Sequence, residues 1–141
     1  MIITICGSTN FVGEVKRIRD ELIEKGHKVH SLAWTDLSWQ EIEARKNNRE
    51  KFMNELKPRL IFEHFDKILD SDAILVVNQE KNGIENYIGG NTFAEIMFAY
   101  YYKKKIFFLN PIPRHETFSY MMDELEVVKP TIINGDLDLI K

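Results

Sequence analysis

The chain has a single cysteine and no excess of positive charge, and each shortage removes a class of function. One thiol, Cys6, cannot build a disulfide framework or a thiolate metal cluster. It sits in the apolar run MIITIC, where a small buried thiol is common. Lys and Arg number 19 against 22 Asp and Glu, giving a net charge of -3 and no basic face for nucleic acid. The one basic run, Lys103, Lys104 and Lys105, reads as a helix end, where cations are favoured. No stretch is apolar for long enough to cross a bilayer, so no membrane partner is expected. The start lacks the basic and apolar segments of a signal peptide, which makes a cytoplasmic location the expectation. His27, His30, His64 and His115 have no close ligand spacing, so no metal is expected, and there is no G-x-S-x-G elbow.

What remains is an ordinary globular composition: 141 residues, 44% hydrophobic and 29% charged, enough for one domain with its own core. Strand and helix patterns alternate along it. MIITIC (1–6) and AILVVN (73–78) are apolar runs of buried parallel-strand type, as is KIFFLN (105–110). HKVHSLAW (27–34) alternates like a strand nearer the sheet edge, and TIIN (131–134) reads as the last strand. Helical spacing predicts a helix over 11–25 ended by Gly26, a polar helix over 38–56, a break at Pro58 and a helix over 60–69. A further helix, apolar almost all round and so expected to be well buried, starts near Thr92, and a short one covers 118–125. Five strands interleaved with helices predict a flavodoxin-like α/β sandwich with a parallel sheet in the order 2-1-3-4-5. Ligands of such sheets bind beyond the carboxyl ends of the strands, which directs attention to 7–11, 34–39, 78–91 and 110–116.

Two of those segments carry chemistry. In CGSTNF (6–11), Gly7 permits close backbone approach while Ser8, Thr9 and Asn10 offer donors at a helix start, as an anion site needs; a plain helix cap explains the same residues. In YIGGNTFAE (87–95), Gly89, Gly90 and Asn91 precede a helix whose first turn is expected to carry Glu95. Thr92 and Glu95 also fit a capping box, which leaves that carboxylate two readings. On the helix over 60–69, His64 falls on the inward face with Leu60, Ile61, Phe65 and Ile68. It gains a chemical role if it meets Glu95, and is otherwise a core residue. Trp34 and Trp39 can stack a base or simply pack, and Arg114 and His115 follow the fourth strand.

The pieces ICGSTN (5–10), DKILDSDAILVVN (66–78) and GGNTFAEIMFAYYYKKKIFFL (89–109) resemble the nucleoside 2-deoxyribosyltransferase superfamily, which includes deoxynucleoside 5'-monophosphate N-glycosidases. The resemblance covers most of the chain in order. It implies that Glu95 is the nucleophile of a retaining glycosyl transfer on a nucleoside or nucleotide, with no cofactor. It also implies that Gly89 and Asn91 hold a 5'-phosphate and that Gly7 and Ser8 belong to the first ligand loop. The sequence departs from the family where its usual Asp, eight residues before Asp72, is His64, and where its strand-one Tyr is Thr4; the loop over 79–91 is also longer. His64 is then the acid or orienting group, Asn78 and Tyr87 are expected to line the pocket, and Asp72 is structural. GGNTFAE is also similar to the GG-x-G-T-x-x-E motif of cytokinin-releasing phosphoribohydrolases, one residue shorter between glycines and Thr. A nucleotide sensor without catalysis, and a vestigial site on an assembly domain, stand as alternatives. The aromatic helix ending in YYY (100–102) has more apolar surface than one small sheet covers, so a homodimer or larger assembly is expected.

Overall fold

The computed structural model describes residues 1–32 and 47–141. Its elements run β1 (Ile2–Gly7), α1 (Val12–Glu24), β2 (Lys28–His30), α2 (Arg49–Lys51), α3 (Lys57–Leu69), β3 (Ala73–Val77), α4 (Gly90–Tyr101), β4 (Lys105–Phe108), α5 (Met122–Val128) and β5 (Thr131–Ile132). The five strands form one sheet in the order β2-β1-β3-β4-β5, every pair parallel, as the alternating pattern predicts. Cys6 lies opposite Val76 and Gly7 opposite Val77 at the carboxyl edge of the two central strands.

Side chains alternate across this sheet and build two apolar layers. Ile3, Ile5, Leu75, Val77 and Phe107 face α1 through Val15, Ile18 and Leu22. Cys6, Ile74, Val76 and Phe108 face Ile68 of α3, Ile96 and Ala99 of α4, and Leu125 of α5. Each fully buried Ile or Leu stabilises the fold by roughly 1.5–3 kcal/mol relative to exposure. Between β1 and β3, Asp72 accepts the Ile2 N–H at 2.7 Å through its carboxylate, which makes it a strand fastener. Gly26, at φ +93°, ends α1 in a Schellman arrangement, with its N–H on Ile23 O and the His27 N–H on Leu22 O.

Several element boundaries differ from the sequence expectation. Pro58 does not break the helix. The chain is helical from Arg49 to Leu69, and a π turn, Phe52–Leu56, ends one residue short of Pro58. Proline has no N–H to give to the turn before it, and the wider π turn there accommodates both the missing bond and the ring. The last helix is shifted: a 3-10 stretch covers Glu116–Met121 and α5 follows it. Strand β5 keeps only Thr131–Ile132, and the far end of the expected second strand, with Trp34 and Trp39, lies outside the described residues. Finally, α4 is not buried all round. Thr92, Ile96 and Ala99 are buried, whereas Tyr101 is 77% exposed. Among the described residues no helix is long and apolar enough to cross a membrane.

Candidate functional site

The expected helix start is two residues late, and the difference decides what Glu95 does. Gly89 occupies the N-cap in extended conformation, and α4 begins at Gly90 without a side-chain cap. Thr92 is therefore inside the first turn and Glu95 in the second, out of reach of capping-box geometry. Neither Gly89 nor Gly90 has the positive φ that would demand glycine. A Cβ at Gly90 would meet nothing within 4 Å, so that glycine leaves open space at the helix start.

That space is a cavity of about 290 Å³ at the carboxyl edge of β1 and β3. It is walled by the β1 loop at Gly7, Ser8 and Thr9, by the inner face of α3, by Lys81 and Tyr87 of the β3–α4 loop, and by the start of α4 from Gly89 to Glu95. The volume is at the small end of the range for ligand pockets. Helix α4, twelve residues long, directs the unsatisfied N–H groups of its first turn to this end, a favourable setting for an anion. Lys57 stands on the wall as well, and Lys81 lies with its ammonium 4.6 Å from the centre of the Tyr87 ring.

Three elements bring three reactive side chains together at the back of the cavity. Cys6 comes from β1, His64 from α3 and Glu95 from α4, and their ligand-type atoms all lie within 4.8 Å of one another. His64 Nε2 is 3.5 Å from Cys6 Sγ and 3.5 Å from Glu95 Oε2. The Glu95 side chain is only 12% exposed, and its Oε2 is buried without a hydrogen-bond partner.

Burial dominates the electrostatics of this group. It pushes the Glu95 carboxyl up to about 8, against smaller lowering effects from the Cys6 thiol and the Lys57 charge. It pushes His64 down to about 4, helped by the charges of Lys67 and His30. The Cys6 thiol is raised by the same burial and by Glu95. The 3.5 Å contact between His64 and Glu95 would be an ion pair by distance alone. Desolvation opposes that ion pair and favours a carboxylic acid beside a neutral imidazole, because neither charge is compensated by solvent.

The other residues singled out by sequence divide clearly. Gly7, Ser8, Thr9, His64, Tyr87, Gly89, Gly90, Asn91 and Glu95 all meet at this cavity. Ser8 does so while capping the 3-10 turn Thr9–Phe11, its Oγ accepting the Asn10 N–H at 3.3 Å, so both readings of that loop hold at once. Gly7 has a packing reason too, since a Cβ there would come 3.0 Å from the Val77 carbonyl oxygen. Asn10 is exposed and off the wall. Asn78 is also off the wall: its Nδ2 donates to Asn110 O at 2.9 Å and Pro111 O at 3.0 Å, and its Oδ1 accepts the Asn110 N–H at 2.9 Å. Its amide therefore ties the ends of β3 and β4 together. Arg114 pairs with exposed Glu126 at 3.0 Å, and His115 caps the following 3-10 stretch through Nδ1. Cys6 was not anticipated as part of the group; its only sequence signal was its place as the last side chain before the Gly7 loop.

Neither a protein-family model nor a curated protein matches the chain. Among solved structures, the CMP N-glycosidase BcmB of Clostridium botulinum superposes with a TM-score of 0.50 at 18% identity, over 94% of this chain and 85% of that one. At that identity the likeness establishes a shared fold: this chain has the α/β architecture of that N-glycosidase.

Proposed function

We propose that the protein cleaves or transfers the N-glycosidic bond of a nucleoside or nucleoside 5'-monophosphate, with Glu95 as nucleophile. The observation that carries this reading is the Glu95 carboxyl, almost dry and without a hydrogen bond at Oε2, on the wall of a cavity shared with a helix N-terminus. The shared fold with a CMP N-glycosidase supports the same reaction class. Gly89, Gly90 and Asn91, with the β1 loop, form the cradle for the sugar-phosphate end.

His64 supplies what the missing second carboxylate would do. In the resting site one proton lies on Glu95. As the bond to the base weakens, that proton passes to His64 Nε2, and the freed carboxylate oxygen bonds the anomeric carbon. The base departs with the electron pair of the broken C–N bond and takes the proton from the imidazolium. Water, or a second base, then displaces Glu95 from the sugar with retention, and the released proton restores the resting pair. A carboxylate forming in so dry a place also stabilises the oxocarbenium character of the transition state.

The test is release of free base, followed by chromatography, from a panel of ribo- and deoxyribonucleosides and their 5'-monophosphates, CMP and dCMP included. Release that disappears in Glu95→Gln protein of unchanged melting temperature supports the reading. Tight nucleotide binding with no release from any substrate replaces it with the sensor, a role the neutral Glu95 acid suits as a hydrogen-bond donor. We also propose self-association. Phe62 at 72% and Tyr101 at 77% exposure present an aromatic surface on α3 and α4, and sedimentation as a 16.6 kDa species alone would remove that proposal.

A further inference from the structure

We infer that Cys6, His64 and Glu95 form a binding site for a zinc-class divalent cation, and that the cation holds the site inactive. Two of the three donor-to-donor separations have the length of a tetrahedral edge, and the third needs only the small approach that a bound cation would impose. Zinc bonds of about 2.0–2.3 Å put neighbouring ligand atoms roughly 3.3–3.8 Å apart. The Sγ–Nε2 and Nε2–Oε2 separations are both 3.5 Å, and all three donor atoms fall within 4.8 Å. Each donor is held by a different element of the packed core, so little has to move. Glu95 Oε2 points into this group with no hydrogen bond to lose.

The donor set selects the ion. A thiolate, an imidazole and one carboxylate suit Zn²⁺ or Co²⁺, whereas Mg²⁺ and Ca²⁺ require oxygen ligands. Three protein ligands leave a fourth position, and here it opens on the cavity that His64 and Glu95 line. Charge also balances: a thiolate and a carboxylate carry two negative charges, so the loaded group is neutral in its dry surroundings. Loading breaks the S–H bond of Cys6 and displaces the carboxyl proton of Glu95, and both protons leave to solvent. The inhibitory part rests on the glycosidase reading, because the bound cation occupies the oxygen that would attack the sugar.

The experiment titrates the dialysed full-length protein with Co²⁺ alone. The expected result is one equivalent bound, a near-ultraviolet sulfur-to-cobalt band, and loss of that band when Zn²⁺ is added. Cys6→Ser removes the band and weakens binding at least roughly tenfold, since even outer-shell changes at metal sites reach that size. His64→Asn gives the same weakening and serves where the Cys6 variant has lost its melting transition. Wild-type protein without a sulfur band at saturating Co²⁺, or variants that bind as tightly as wild type, overturns the site. Base release abolished by Zn²⁺ and restored by a chelator supports the inhibitory role, and release that continues at saturating Zn²⁺ overturns it. Metal-free protein that releases no base sinks the glycosidase reading while the cobalt arm still decides the site.

Discussion

Two buried polar groups lie side by side between β1 and α3, and they are built on opposite terms. Thr4 and Cys6 are two residues apart on β1 and point to the same face of the sheet. At the Thr4 end every hydroxyl is used: Thr4 Oγ1 donates to Ser71 Oγ at 2.6 Å, and Ser71 Oγ donates to Lys67 O at 2.8 Å. At the Cys6 end a carboxyl oxygen is left with nothing. A satisfied buried chain adds stability and fixes a strand against a helix. An unsatisfied one costs stability, and its persistence in the core of a small domain marks a place where something other than stability is served.

The largest test of this contrast replaces His64. His64→Asn keeps a polar side chain on α3 but cannot carry the proton from Glu95 to the departing base. Base release is expected to fall by about 10²–10⁴-fold in kcat, the usual worth of a positioned acid or base, with little change in melting temperature. A loss confined to KM would mean that His64 only shapes the cavity. Asn78→Ala gives the reverse. Three hydrogen bonds from one buried amide are lost, so stability should drop by roughly 2–4 kcal/mol in denaturant unfolding. The base-release rate of the folded fraction should stay as it was, because Asn78 is not on the cavity wall.

These two residues also show what the sequence made legible. The central strands were readable because AILVV is apolar at every position and KIFF at every position after the exposed Lys105, as strands covered on both faces must be. With the strands alternating with helices, the sheet order followed from chain topology alone. The site was readable where the residue types are unusual for their element, namely a Glu in an apolar helix and paired glycines before it. It was not readable where identity is ordinary. A strand buried on both faces gives no clear alternation from which to tell that Cys6 faces α3. Asn78 looks like a pocket residue because its partners, Asn110 and Pro111, are 32 and 33 residues away and invisible to local pattern. The start of α4 was misplaced because Gly89 caps the helix with backbone alone, leaving Thr92 as the nearest apparent cap.

Proton linkage gives a third, smaller test on the unsatisfied side. Glu95 is held up to about 8, from an ordinary value of 4.5, so between those values the folded chain carries a proton that the unfolded chain has lost. Stability therefore falls as pH rises through that window. His64, pushed down from 6.5 to about 4, acts in the opposite sense below 6.5, where the unfolded chain binds the extra proton. Above 6.5 only the Glu95 contribution remains of the two. Denaturant unfolding from pH 6.5 to 8 should show stability declining, by at most about 1.4 kcal/mol per pH unit for one proton. In Glu95→Gln that decline should be absent, and a variant that keeps it would place the titrating group elsewhere.

The smallest expected effect belongs to the satisfied group. Thr4→Val removes the hydroxyl that meets Ser71 and substitutes a methyl of nearly the same shape. Ser71 keeps its bond to the Lys67 carbonyl, so no buried donor is stranded, and the loss should be close to that of one neutral hydrogen bond, about 1 kcal/mol. Cys6 lies two residues further along the same strand face, yet the site should not register the change. Its position depends on the pairing of β1 with β3, which Thr4→Val leaves intact. A Thr4→Val protein with an altered pH profile of stability between 6.5 and 8 would show that the two groups are one network, and the contrast between them would fail.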